Sequence, residues 1–267
     1  MGYGSHIPAA QACACHGNHQ NNVVAPPSGE RFFHDGVGIG IARGATDHAR
    51  AAGLLNRMYG WRGYGSGHAL PTGEHCTTFL AETEHAVIGT LSLAVDHSGG
   101  LAADHTFRDI LDEFRKTPGA SLCELAKFAF DTSRPAKSRL AALFHTVLIF
   151  GSSEYNCTDL FIEVNPRHKA FYEAALGFRA VAEPRTNRSV NAPSYLLWLS
   201  VDAIRQQIEA VRRNQAMGKH SLYPYFLSPV EERRVAEALE GRTQPAPASR
   251  MLGHLPGCDH GHAVAQG

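Results

Sequence analysis

From Leu122 to Val201 the sequence runs through a strand, a long helix, a strand, a short helix ending at Gly177-Phe178 and another strand, an alternation that few folds accommodate. "LCELAKFAFD" (122–131) has strand periodicity. It predicts Leu122, Glu124, Ala126, Phe128 and Phe130 on one face, and Cys123, Leu125, Lys127, Ala129 and Asp131 on the other. The long helix, about 135 to 155, opens with a proline whose missing N–H costs nothing in a first turn. The strand "DLFIEV", the helix in "NPRHKAFYEAALGF", a strand at 178–182 and the strand "SYLLWLSV" (194–201) follow. Upstream, "GVGIGIAR" (36–43) reads as a strand. Residues 45–61 read as a helix capped by Thr46 or Asp47, 77–84 and 85–96 as neighbouring antiparallel strands, and 107–117 as a short amphipathic helix. Helices at 201–215 and 228–241 close the ordered part. The predicted fold class is α/β (α+β): one mixed domain, with a mostly antiparallel sheet flanked by helices and a C-terminal helical extension from about residue 201.

The ends differ in composition. Residues 1–30 and 242–267 are rich in Gly, Ala, His and Pro with little apolar periodicity, so they are expected to be disordered tails around an ordered domain at 31–241. The tails carry "CACHGNH" and "CDHGH", but neither has the paired ligand spacing of a structural zinc site, and no metal is expected. Lys plus Arg total 25 and Asp plus Glu total 25, a balance that gives no reason to expect a nucleic-acid partner. No apolar run approaches the roughly 20 residues that span a bilayer, and no signal segment opens the chain, so a cytoplasmic protein is expected. Its six cysteines show no disulfide framework, and free thiols are the simpler expectation.

"VNPRHKAFYEAALGF" resembles the late motif of the Gcn5-related N-acyltransferase superfamily, where an Asn after a strand precedes a Tyr-bearing helix and a Gly-Phe turn. "GTLSLAVD" followed by "LCELAKFAFD" resembles the paired strands of acyl-homoserine-lactone synthases. "HSLYPYFLSPVEERR" resembles the C-terminal extension of long-chain N-acyl amino acid synthases. Together these stretches, across about 37–240, place the resemblance with the amino acid synthases. It implies transfer of a fatty acyl group from the phosphopantetheine arm of acyl carrier protein, or from acyl-CoA, to the α-amine of an amino acid.

That reaction needs a base, because an α-ammonium is not a nucleophile. Glu124 is the candidate: desolvation in mid-strand raises a carboxylate pKa toward the working range, although a structural carboxylate is the alternative. Backbone N–H groups near Phe128, Ala129 and Phe130, where central strands splay, are the oxyanion donors that the resemblance implies. Tyr172 lies five residues before Gly177, one more than in the usual acetyltransferase pattern, so either a general-acid or a packing role is open. The junction "DTSRPAKSRL" lacks the Gly turn that usually cradles coenzyme A pyrophosphate. Arg134, Lys137 and Arg139 there suit a single phosphate and an acidic carrier protein, or form a solvated basic helix end. Asn165 ends a strand and is expected to steer the acyl arm. Arg57 and Trp61 resemble acceptor-site residues of lactone synthases, or are a solvated Arg and a core plug beside the loop 60–67. Asp96 and Asp131 are structural or contact the acceptor. His145 and His168 read as helix residues. The competing functions are a coenzyme A dependent acetyltransferase, which the missing Gly turn disfavours, and a non-catalytic acyl-carrier-binding module, against which Glu124 argues. Lactone synthesis from S-adenosylmethionine fits the late motif less well.

Overall fold

A computed structural model describes residues 31–61, 67–131 and 137–240. The tails, the Gly-rich stretch 62–66 and the junction residues 132–136, Arg134 and Pro135 included, lie outside the described residues.

The elements are β1 (Phe32–His34), β2 (Val37–Ile41), α1 (Gly44–Trp61), β3 (Cys76–Glu82), β4 (Val87–Val95), α2 (Asp104–Arg115), β5 (Leu122–Phe130), α3 (Lys137–Tyr155), β6 (Asp159–Val164), α4 (Pro166–Leu176), β7 (Arg179–Ala180), β8 (Arg185–Asn187), β9 (Ala192–Ser200), α5 (Val201–Arg212) and α6 (Pro229–Glu240). They form a sheet in the order β1-β2-β3-β4-β5-β6-β9-β7, with β8 pairing β9 alone. Every pairing is antiparallel except β5 with β6, whose crossover is α3. The mixed, mostly antiparallel sheet matches the sequence expectation.

Several boundaries move. Asp47 does not occupy the cap position of α1: the helix opens at Gly44, and Asp47 reaches back to accept from the Arg43 N–H at 2.9 Å. Helix α2 begins at Asp104, three residues before the apolar pattern, because Asp104 accepts from the Leu101 N–H (2.6 Å) and pins the entry turn. The strand expected at 178–182 shrinks to Arg179–Ala180. It follows a helix stop at which Gly177 has φ 82°, a left-handed conformation that only glycine adopts cheaply.

Helix α3 is apolar nearly all round because it is covered on both sides. The sheet packs on one side, and Leu222, Tyr223, Leu227, Val235 and Leu239 of the C-terminal extension pack in the same core. His145 of α3 is the polar pin: its Nδ1 accepts from the Leu227 N–H (2.9 Å), its Nε2 faces Glu232 (3.2 Å), and its ring stacks on Phe226. The helix histidine of the sequence reading is thus an anchor for the extension.

The cysteines require a correction. Cys123 of β5 and Cys157, between α3 and β6, form a buried disulfide, whereas all six thiols were expected to be free. The spacing of 34 residues carried no signal, because only the parallel β5–β6 pairing brings the two together. Replacing both by Ala is expected to cost about 2–4 kcal/mol by releasing that loop in the unfolded chain. Denaturant melts of the parent and the double variant check this, and equal midpoints would show that the bond contributes nothing.

Candidate active site

Strand β5 carries the site, and a bulge shapes it. Ala126 pairs with Ser92 and Ala129 with Thr90, so Lys127 and Phe128 together stand against Leu91 alone. Lys127 takes φ 52° to permit this. The extra residue reverses the alternation. Cys123 and Leu125, then Phe130 with Phe128 beside it, belong to the core under α3, while Leu122 packs with α2 and Ala129 with α1. The expected grouping of Glu124 with Phe128 and Phe130 is therefore wrong. Glu124 lies on the opposite face, between the α1 and α2 clusters, where its neighbours include the hydrogen-bonded pair Thr78 and Ser92 (2.7 Å). Across the sheet, Gly89 faces Phe130, whose ring lies 2.8 Å from where a Cβ on residue 89 would sit.

The splay is also displaced from the expected place. β4 and β5 stay paired through Phe130, whereas β5 and β6 pair only over Leu122–Asp159, Cys123–Leu160 and Glu124–Phe161. Beyond Glu124 the parallel strands separate, and Ala126, Lys127 and Phe128 remain partly exposed although β5 is central in the sheet. The Phe128 carbonyl accepts from the Tyr59 hydroxyl of α1 at 3.3 Å.

Glu124 is 4% exposed. Burial pushes its carboxyl up to about 7, and the nearby Glu163 and Asp104 carboxylates push the same way. The backbone N–H groups of Ala103 and Ala102 pull it back down. Ala103 donates to Oε2 at 3.0 Å, so the start of α2 points at this carboxylate. An acid with a pKa of about 7 exchanges protons readily near neutrality, as a general base requires.

The other expected site residues divide into groups. Asp96 is held by Arg115 through two bonds (2.7 and 2.9 Å), and the same guanidinium grips Asp104 and Asp112. Arg57 is exposed on α1, and Trp61 is its last residue, with a side chain outside the described set. Tyr172 is buried among Phe128, Phe171 and Phe178. Asn165 caps α4, its side chain accepting from the Arg167 N–H at 3.3 Å. At the start of α3, Lys137 donates to the Lys219 carbonyl (2.9 Å) and Arg139 to the carbonyl and carboxylate of Asp35 (3.0 and 3.2 Å). Glu124, Phe128 and Ala129 share one strand, while Asn165, Lys137 and Arg139 sit at the ends of the elements that follow it.

Sequence reasoning missed two residues. Asn56 of α1 accepts from the N–H groups of Gly67 and His68 (2.9 and 2.7 Å), fixing the return of the chain after the Gly-rich stretch. Glu163 of β6 projects on the Glu124 face. A Glu at alternate spacing in "DLFIEV" was the available signal, but it gains meaning only from strand pairing.

Residues 50–200 match the family described as N-acyl amino acid synthase FeeM. The solved structure of FeeM, an N-acyl amino acid synthase from uncultured soil microbes, is 26% identical with a TM-score of 0.55, over 64% of this chain and 93% of that one. The CoA-dependent acyl-homoserine lactone synthase BjaI, solved with SAM and isopentyl-CoA, is 13% identical with a TM-score of 0.42, over 70% of this chain and 88% of that one. Escherichia coli ElaA is 9% identical with a TM-score of 0.44, over 61% and 98%. Among curated proteins none matches.

Proposed function

The chain belongs to the N-acyl amino acid synthase FeeM family, with the fold of the Gcn5-related acyltransferases, and from that premise we propose that it joins a long-chain fatty acyl group from acyl carrier protein to the α-amine of an amino acid. The observation that carries this reading is Glu124, a buried carboxylate with its pKa raised to about 7, beside the β5–β6 splay.

In this mechanism Glu124 takes one proton from the α-ammonium. The freed nitrogen lone pair attacks the thioester carbonyl carbon, a C–N bond forms and the carbonyl electrons move to oxygen. Backbone N–H groups of the bulged strand near Phe128 and Ala129 hold that oxyanion. Collapse breaks the C–S bond, and the thiolate leaves with the electron pair. The second proton on nitrogen passes to the thiolate or to water. A thiolate needs little acid help, so Tyr172 serves packing here. Arg57 and Trp61 are assigned to the acceptor side on the family resemblance alone, while Asp96 positions Arg115 and, through it, the Asp104 turn. The donor arm runs past Asn165 toward Lys137 and Arg139. No described helix is long and apolar enough to cross a membrane, and the proposed setting is the cytoplasm, where acyl carrier protein is available.

Incubation with acyl carrier protein thioesters and a panel of amino acids, with mass spectrometry of the lipid extract, tests the reaction. An N-acyl amino acid is the expected product, and its absence with every amino acid would sink the reading. The donor is tested separately. Acyl carrier protein thioesters are expected to outperform the same acyl-CoA, and charge reversal at Arg134 and Lys137 to raise the KM for carrier protein in a salt-sensitive way. Equal turnover with both donors would overturn the donor assignment.

A further inference from the structure

Among the described residues the buried carboxylates are matched to arginines, with one departure. Asp47 and Glu82 share Arg31 and Arg50, and Asp104 is gripped by Arg115. Glu124 is as buried as these, yet among the described residues no Lys, Arg or His pairs with it. Its nearby charges include a second carboxylate, Glu163, which also has no cationic partner among the described residues.

The register explains the pairing. Glu124 stands opposite Phe161 in the parallel β5–β6 ladder, and two residues further along β6 the chain reaches Glu163 on the same face, roughly 6–7 Å on, where the strands have parted. Glu163 is held on one side only: its Oε1 accepts from Asn187 Nδ2 (2.8 Å) and Ser194 Oγ (2.5 Å) of the β8–β9 hairpin. Among the described residues its Oε2 accepts no hydrogen bond, and the side chain is half-buried. The hairpin is in turn fastened to α2, Arg185 binding Asp109 through both carboxylate oxygens and lying over the Phe107 ring. Two carboxylates thus share one face at the mouth of a splay, with no cation between them among the described residues, an arrangement that favours a small cation from outside.

We propose that Glu163 is the positioning residue for the acceptor's α-ammonium, which enters between the Glu163 and Glu124 carboxylates, is held by Glu163 Oε2 and gives its proton to Glu124. This rests on the acylation reading above. It narrows the acceptor to molecules whose amine is cationic when it binds. It also couples the two carboxylates: burial is the main cause that raises Glu124, and removing the Glu163 charge relieves the repulsion that adds to it. The other groups facing Glu124 are Cys76 of β3 and Asp104 of α2, the latter neutralised by Arg115 with Arg108 nearby. The β4 neighbours Ser92 and Ala94 carry no charge.

Glu163→Gln keeps an acceptor oxygen for Asn187 and Ser194 while removing the charge. The expected result is a roughly 10- to 100-fold rise in acceptor KM, the loss of one hydrogen bond to a charged group, with the acyl donor KM unchanged. The acid limb of kcat/KM should move to lower pH. Ser194→Ala, which removes one of the two bonds that hold Glu163 but leaves its charge, should raise acceptor KM and leave the acid limb in place. This second variant keeps the test open if Glu163→Gln fails to fold. Unchanged acceptor KM and an unmoved acid limb in an active Glu163→Gln enzyme would overturn the proposal while leaving the acylation reading intact. A substrate-free arm separates the two the other way. In carboxyl-labelled parent protein, ethylammonium chloride should shift the Glu124 and Glu163 carboxyl NMR signals, and in Glu163→Gln it should no longer shift Glu124. Absence of any shift in the parent overturns the ammonium site whatever the protein acylates.

Discussion

Glu124→Gln is expected to lower kcat at neutral pH by roughly 10²- to 10⁴-fold while leaving the fold and acyl-carrier binding intact. The parent should gain activity as pH rises through about 7, because only the ionised carboxylate accepts a proton. The variant should lose that limb and recover part of its rate at high pH, where free amine is abundant. Gln retains an oxygen for the Ala103 N–H, so the tie to the start of α2 survives. A stability readout runs alongside. Glu124 is raised from 4.5 to about 7 in the folded state, so between those values the native protein holds more protons than the unfolded chain, and stability falls as pH rises. By pH 8 the parent carries a penalty on the order of 3 kcal/mol that Gln does not. The variant should therefore melt above the parent at pH 8 and lose the advantage near pH 4. A variant that unfolds would mark Glu124 as structural, and parental turnover across pH would mean that another group takes the proton.

Arg31→Met is the largest expected stability change. The Arg31 side chain is 2% exposed and donates to Glu82 (2.7 Å), Asp47 (3.0 Å) and the Ile41 carbonyl (2.8 Å), binding the chain ahead of β1 to α1, β2 and β3. Asp47 and Glu82 are 1% and 5% exposed, and without Arg31 each loses a buried guanidinium partner. Removing one partner from a buried ion pair costs about 3–5 kcal/mol, because the charge left behind stays desolvated. Lys116→Ala breaks a pair with Glu113 that is 68% and 69% exposed, and is expected to change stability by less than about 0.5 kcal/mol. Urea titrations of the two variants check the contrast. Equal midpoints would mean that the Arg31 network is energetically idle.

Local pattern carried the order and type of the long elements in this chain. Apolar alternation marked β3, β4, β5, β6 and β9, helical periodicity with Pro and Gly at the ends marked α3 and α4, and the late Asn, Tyr and Gly-Phe spacing carried the family resemblance. These signals are local because they arise from backbone sterics and one-sided burial, which act over a few residues. Glu124 was legible as a candidate for the same reason, as a carboxylate in an otherwise apolar strand. Its surroundings were not. A single extra residue at Lys127–Phe128 reversed the faces of β5, and a bulge is fixed by the partner strand rather than by the strand's own composition. The Cys123–Cys157 bond, the Arg31 network and the approach of Glu163 to Glu124 join residues 34, 51 and 39 positions apart. Each depends on which strands pair and in what register, and the tertiary structure decided it because the energies that select a register come from burying one whole face of the sheet at once.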